Sequence, residues 1–205
     1  MTEKIERTLR NLQQNNMNGY YVKDKEELIK QLEELILDNN TVGCGDSVTL
    51  EQLEVFNYLR NRDIEFYDKH KSGLSSDEKR EIYIKNFSAD VFITGTNAIT
   101  ENGEIINIDG NGSRVAPMIY GPKKVVIVVG SNKITPNSTE GMLRVRQVAA
   151  PMDAKRLGKV TPCVKTGKCY DCKSKDRICN DFVVIARQFD PKRIHVIIVE
   201  GEYGY

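Results

Sequence analysis

Apolar residues recur along this chain with two alternating periods, and the changes between them predict helices interleaved with strands. Ile5, Leu9 and Leu12 share one helical stripe, which predicts a helix over residues 3–15 inside an N-terminal segment 1–18. After Gly19 the short run YYV reads as a strand. Asp24 then caps a helix over 25–38 whose Leu28, Leu32, Leu35 and Ile36 face a core. Thr41 and Val42 end a second strand, and Gly43 and Gly45 allow a tight turn. Thr49 and Gln52 stand at capping-box spacing for a helix through Leu59. Residues 64–67 suggest another strand, and Ser75 with Glu78 repeats the capping-box spacing ahead of a helix to Phe87.

The runs ADVFIT and KKVVIVV are almost wholly apolar, as strands are when helices cover both faces of a parallel sheet. GEIINI, between Asn102–Gly103 and Asp109–Gly110, reads as a hairpin excursion. Asn137 or Ser138 starts a helix carrying Met142, Val145, Ala149 and Met152, and Pro151 should break or kink it near Ala150. Two more strand-like runs follow, DFVVIARQF and RIHVIIVEG. The alternation predicts an α/β fold, an open and mostly parallel sheet flanked by helices, spanning 1–205 as one domain with a cysteine-rich loop at 160–181.

Length and charge narrow the function classes. A chain of 205 residues is long enough to bury roughly 70% of its unfolded surface. With 40% hydrophobic residues, 29% charged residues and a net charge of +1, it offers no electrostatic reason to expect nucleic acid or an anionic membrane as partner. No apolar run approaches the roughly 20 residues of a membrane span, and the first residues are charged and amphipathic, so a cytosolic location is expected. There is no internal repeat.

The candidate chemistry gathers at strand ends, where parallel sheets collect ligands. The turn VGCGDSVT offers Gly43, Gly45, Ser47 and Thr49 for a phosphate or carboxylate, or simply a capped strand-to-helix turn. Asp46 within it is a general base, a ribose partner or a turn cap. Cys44 is an activated thiolate or, more commonly, a small buried thiol. The stretch 94–133 adds Thr94, Gly95, Thr96 and Asn97 at one strand end, then Asp109, Asn111, Gly112 and Arg114 in a glycine-rich loop, then Lys133 at a second strand end. Arg114 has a planar fork suited to a carboxylate or phosphate. Glu101 and Glu104, flanking Gly103, are the remaining carboxylates suited to proton transfer. The expectation is geometric: Ser47, Asn97, Arg114 and Lys133 should meet in one cleft around an anionic small molecule.

Four of the five cysteines, Cys163, Cys169, Cys172 and Cys179, are spaced C-x5-C-x2-C-x6-C in a segment too polar to form a core. In a cytosolic chain such a set suits zinc or an iron–sulfur cluster better than disulfides. His70, in a charged run, is expected to be exposed, and His195 to sit on a strand as a satisfied side chain. Neither supports a hydrolase triad.

ADVFITGTNAITENGEII, the following DGNGSR, KKVVIVVGSNKI and PCVKTGKCYDCKSKDRICN together resemble the lactate-utilisation, or LUD domain, family across nearly the whole chain. The resemblance implies the fold shared by ribose-5-phosphate isomerase, glucosamine-6-phosphate deaminase and the CoA transferases. In that group the turn corresponding to Gly43, Gly45, Ser47 and Thr49 is a phosphosugar or CoA phosphate loop. It further implies a part in oxidation of L-lactate to pyruvate alongside iron–sulfur partner proteins. An isomerase or CoA transferase using Asp46, Glu101 or Glu104 is the alternative, although no glutamate stands at a recognisable transferase motif. A redox or regulatory protein working through its metal centre is a third.

Overall fold

The computed structural model describes all 205 residues, Met1–Tyr205. In chain order the first half comprises α1 (Glu3–Gln14), β1 (Asn18–Val22), α2 (Lys25–Leu35), β2 (Thr41–Cys44), α3 (Val48–Gln52), α4 (Val55–Arg60), β3 (Glu65–Tyr67), α5 (Ser76–Lys85), β4 (Val91–Gly95) and β5 (Ala98–Thr100). The second half comprises β6 (Ile105–Asp109), α6 (Val115–Ile119), β7 (Lys124–Gly130), β8 (Ile134–Thr135), α7 (Ser138–Arg144), α8 (Ala150–Arg156), α9 (Pro162–Thr166), β9 (Asp181–Ile185) and β10 (Ile194–Val199).

Six strands form one sheet in the order β1-β10-β7-β4-β2-β3, every neighbour parallel. Strand β7 explains why its sequence is so uniformly apolar. Val126 and Val128 pack into the core beneath α2, α3 and α4, while Val125, Ile127 and Val129 pack into the opposite core with Ile5 and Leu12 of α1 and Val115 and Met118 of α6. Both faces are dry, so neither set of alternate positions is free to be polar. This is the α/β architecture that the alternating periods predict.

A second sheet, ordered β8-β5-β6-β9, stands at the carboxyl ends of the large one. Two residues separate β4 from the hairpin β5–β6, and the turn between the hairpin strands docks on α1 and its C-cap: Asn11 donates to the Glu101 carbonyl at 2.7 Å and Asn15 to that of Asn102 at 2.9 Å. Gly103 is required there, with φ +77° and a Cβ position only 2.6 Å from the Leu12 nitrogen. DFVVIARQF contributes only Asp181–Ile185 as a strand, antiparallel to β6.

Three local expectations change. Ser47, not Thr49, caps the helix after β2, its hydroxyl accepting from Leu50 N at 3.2 Å, and the helix expected through Leu59 is interrupted at Glu54, which sits at φ +55°. Thr49 is unavailable as a cap because its hydroxyl serves Tyr203 and Lys133. Pro151 distorts the helix rather than ending it, and two α-helices, α7 and α8, flank the distortion. The turn preceding Pro151 widens into a π-helical segment, Val145–Ala149, which gives the proline ring room without a fourth-residue clash. His70 is half-buried rather than exposed, its ring 4.5 Å from that of Phe56. The caps at Asp24 and at Ser75–Glu78 form as their spacing predicts. No helix is long and apolar enough to cross a membrane.

Candidate functional site

The connection from β2 leads outward to β3, whereas that from β4 leads the other way to β7, so the carboxyl ends of β2 and β4 diverge into a crevice. A cavity of about 380 Å³ opens there. Asp46 and Ser47 line it from the end of β2, Gly95, Thr96 and Asn97 from the end of β4, Asp109 from the last position of β6, Arg114 from the loop after it, and Lys133 from beyond β7. The second sheet and α8 close it from above. Thus Ser47, Asn97, Arg114 and Lys133 do share one cleft.

Lys133 is the group most altered by its setting. Only 4% exposed, its Nζ donates to Thr49 Oγ1 at 2.9 Å and to the Thr96 carbonyl at 3.2 Å, and it makes no ion pair with any carboxylate. Burial, reinforced by the nearby charges of Arg144 and Arg114, lowers its pKa to about 7. Whenever it is protonated, as it is below pH 7, the ammonium is therefore held without a counter-ion at the cavity wall, an electrostatic deficit that a bound anion would relieve.

Arg114 has a different role from the one its fork suggests. Its Nε–H goes to Asp109 Oδ1 at 3.2 Å, one terminal nitrogen donates to Asn107 Oδ1 (2.6 Å) and the Gly95 carbonyl (3.3 Å), and the other to Asn97 Oδ1 and the Ile108 carbonyl, both at 2.8 Å. All five donors are consumed by the protein. Arg114 thus ties the end of β4 to the end of β6, and it offers a ligand its charge but no free N–H. It also orients Asn97. Because Asn97 Oδ1 accepts from Arg114 and from Ile108 N at 3.0 Å, the amide is fixed with its nitrogen, which has no protein partner, available on the cavity side.

Residues from distant parts of the chain form the rim. Arg156 of α8 bonds Asp46 at 2.7 Å and Asp153 at 2.8 Å, and Tyr205, the final residue, donates its hydroxyl to Asp153 at 3.0 Å. Burial raises the Asp46 pKa, but Lys69, Arg156 and His70 together outweigh it and hold the carboxyl below its ordinary value. Asp46 is therefore a poor acid at neutral pH. Across the whole lining, five cations (Lys69, Arg114, Lys133, Arg156 and Arg177) face three carboxylates (Asp46, Asp109 and Asp153).

Of the other residues expected at a site, Asn111 lines the cavity and Gly43, Gly45, Thr49, Thr94 and Gly112 do not. Gly43 lies inside β2 rather than in a turn, and its missing Cβ leaves room for Asn86. At Gly45 a Cβ would stand 2.3 Å from Thr94 Oγ1 and 2.8 Å from Arg114 Cγ, so this glycine lets two strand ends approach. Gly45→Ala is accordingly expected to destabilise the fold by about 1–3 kcal/mol through overpacking, measured by chemical denaturation; a neutral result would show that the corner yields freely. Glu101 pairs with Arg7 of α1 at 2.8 Å and Glu104 accepts from Thr100 Oγ1 at 3.0 Å. Both lie away from the cavity, which leaves Asp46 as the one proposed catalytic carboxylate within it.

Lys69, Tyr83, Asp153, Arg156, Arg177 and Tyr205 also line the cavity without any sequence signal of their own, since each arrives by tertiary packing from outside the glycine-rich turns. Cys44 is a buried thiol pushed up to about 12 by desolvation, so it is no thiolate. His195 is satisfied on the sheet, with Nδ1 2.9 Å from the Tyr20 hydroxyl and Nε2 3.0 Å from the Lys192 carbonyl. The four remaining cysteines surround a separate, smaller cavity.

The overall arrangement is similar to that of a DUF162 family protein from Deinococcus radiodurans, known from a crystal structure at 1.70 Å resolution: the TM-score is 0.56 at 15% identity, with 96% of each chain covered. Such a likeness speaks to fold alone. A search of curated proteins returns no match. The sequence model named LUD domain matches residues 5–199, nearly the full length, and the chain belongs to the LUD domain family.

Proposed function

We propose that this protein binds a small anionic metabolite, one carrying a phosphate or carboxylate as in a nucleotide or a CoA derivative, in the cavity between the ends of β2 and β4. The observation that carries the reading is Lys133: a buried ammonium at a ligand-sized cavity, with hydroxyl and carbonyl partners but no carboxylate. Lys69 and Asn97 line the same cavity, Lys69 with its charge acting on Asp46 and Asn97 with an amide held in place by Arg114 and Ile108. A volume of about 380 Å³ lies within the roughly 300–1,000 Å³ of small-molecule sites. Membership of the LUD domain family supports a setting in lactate utilisation, with this chain as a cytosolic accessory component of L-lactate oxidation to pyruvate working beside iron–sulfur partner proteins.

Calorimetric titration with inorganic phosphate, AMP, CoA, L-lactate and pyruvate tests the reading. At least one is expected to bind, and Lys69→Gln should weaken that binding several-fold by removing a cation from the cavity wall. Silence across the whole panel would sink the proposal.

An enzyme of the isomerase or CoA-transferase type is a second reading, favoured by the lowered pKa of Lys133 and by its sharing the cavity with Asp46. A lysine largely deprotonated above pH 7 can take up a proton, and Asp46 stays ionised in the same cavity. Turnover of sugar phosphates or acyl-CoA thioesters, assayed directly, separates this reading from binding alone.

A further inference from the structure

The segment that follows α8 has no means of holding its own shape. From residue 162 to residue 180 not one side chain is fully buried, and the only regular element is the five-residue α9. Yet Cys163, Cys169, Cys172 and Cys179 all line a single small cavity against Ala150 and Pro151 of α8, and all four are free thiols. A loop without a core that nevertheless gathers four thiols inward is a loop built around something.

The local geometry suits metal-bound sulfur. Asp171 adopts φ +48°, and this left-handed residue turns its backbone N–H onto Cys169 Sγ at 3.4 Å, within the C-x2-C pair. Thr161 Oγ1 lies 3.1 Å from Cys163 Sγ. Arg177 sits inside the loop, donating to the carbonyls of Cys172 at 2.5 Å and Cys179 at 2.9 Å and pairing with Asp171 at 2.9 Å, so that it ties together the backbone around the thiols. The rest of the cavity wall is Ala154, Tyr170 and Ile178.

The spread of the sulfurs favours a cluster over a single ion. One tetrahedral ion at Zn–S distances of about 2.3 Å would bring its sulfurs to about 3.8 Å from one another. No three of the four sulfurs here lie mutually within 4.8 Å. That separation fits a cluster, in which each thiolate is bound to a different iron or shares one iron with a single other cysteine.

We infer that Cys163, Cys169, Cys172 and Cys179 ligate an iron–sulfur cluster, each thiol releasing its proton to solvent as it becomes a ligand. The inference rests on the loop alone and stands whether or not the large cavity binds an anion. The two sites are nonetheless neighbours, because Ala150, Arg177 and Ile178 line both cavities.

Full-length protein purified anaerobically, with and without reconstitution by ferrous iron and sulfide, is analysed for iron, acid-labile sulfide and zinc, and by visible absorption. The expected result is iron and sulfide in equal amounts with a charge-transfer band. Cys169→Ser/Cys172→Ser should lose nearly all of both, while Cys44→Ala retains them. Limited trypsin digestion provides a second measurement, since Lys165, Lys168, Lys173 and Lys175 lie in the loop. The loaded protein should resist cleavage there, and the metal-stripped protein should be cut. Stoichiometric zinc without iron overturns the cluster, and so does a chain that is folded by circular dichroism yet holds no metal after reconstitution.

Discussion

Lys133→Met is expected to gain stability below pH 7 while losing affinity for the anion, and the gain should fade as the pH rises towards 10. The folded-state pKa of Lys133 is about 7, against about 10.4 for a lysine in the unfolded chain. Below pH 7 both states carry the proton, and the folded state bears the full cost of a buried ammonium. Between pH 7 and about 10 the unfolded state binds more protons, so wild-type stability rises with pH across that window. A shift of this size corresponds to a penalty on the order of 4 kcal/mol, from which the methionine variant forfeits about 1 kcal/mol for each hydrogen bond to Thr49 and Thr96. A net gain of about 1–3 kcal/mol is expected at pH 6 and none near pH 10, measured by urea denaturation at the two values. A stability difference that does not change with pH would remove the basis for treating Lys133 as a strained charge.

The same lysine sets the pH dependence of binding. An anion favours the ammonium, so above pH 7 the complex must take up a proton that the free protein lacks. Affinity should fall by up to about tenfold per pH unit in that range, with buffer-dependent binding enthalpies reporting the proton uptake.

The second large effect is structural. Arg114→Met should destabilise the protein by about 3–5 kcal/mol, because it leaves the Asp109 carboxylate, the Asn97 and Asn107 oxygens and two backbone carbonyls without their shared donor in a site that is mostly buried. Arg114→Lys should recover little of this, since one ammonium cannot reach acceptors arranged around a planar fork. Denaturation midpoints of the two variants decide the matter. A lysine variant within about 1 kcal/mol of wild type would mean that charge alone, not the fork, holds the ends of β4 and β6 together.

Much of the scaffold can be read from local pattern. Asp24 and the Ser75–Glu78 pair are caps whose geometry depends on three or four consecutive residues, and both form. The same reasoning fails at Thr49 because its hydroxyl is claimed by Lys133 and Tyr203, which lie 84 and 154 residues away. Pro151 has the expected steric demand, but packing of Val145 and Ala150 against β6 keeps the helix continuous and moves the distortion into a π turn. The glycine-rich stretches mark the cavity correctly, yet for Gly43 and Gly45 the reason is close packing rather than contact with a ligand.

By itself the sequence determines the alternation of helices and strands, the strands that are apolar on both faces, the glycine-rich turns at the strand ends, and the grouping of four cysteines. These are properties of period and spacing within short windows. Only the tertiary structure decides that Lys133 is buried without a carboxylate, that Arg114 spends its fork inside the protein, that Arg156 reaches Asp46, and that the four cysteines line one small cavity. Those facts depend on how distant segments pack, and for Lys133 and Arg156 on the order of strands in the sheet. Parallel strands buried on both faces look alike in sequence, so their order is decided by long-range packing that no local pattern records.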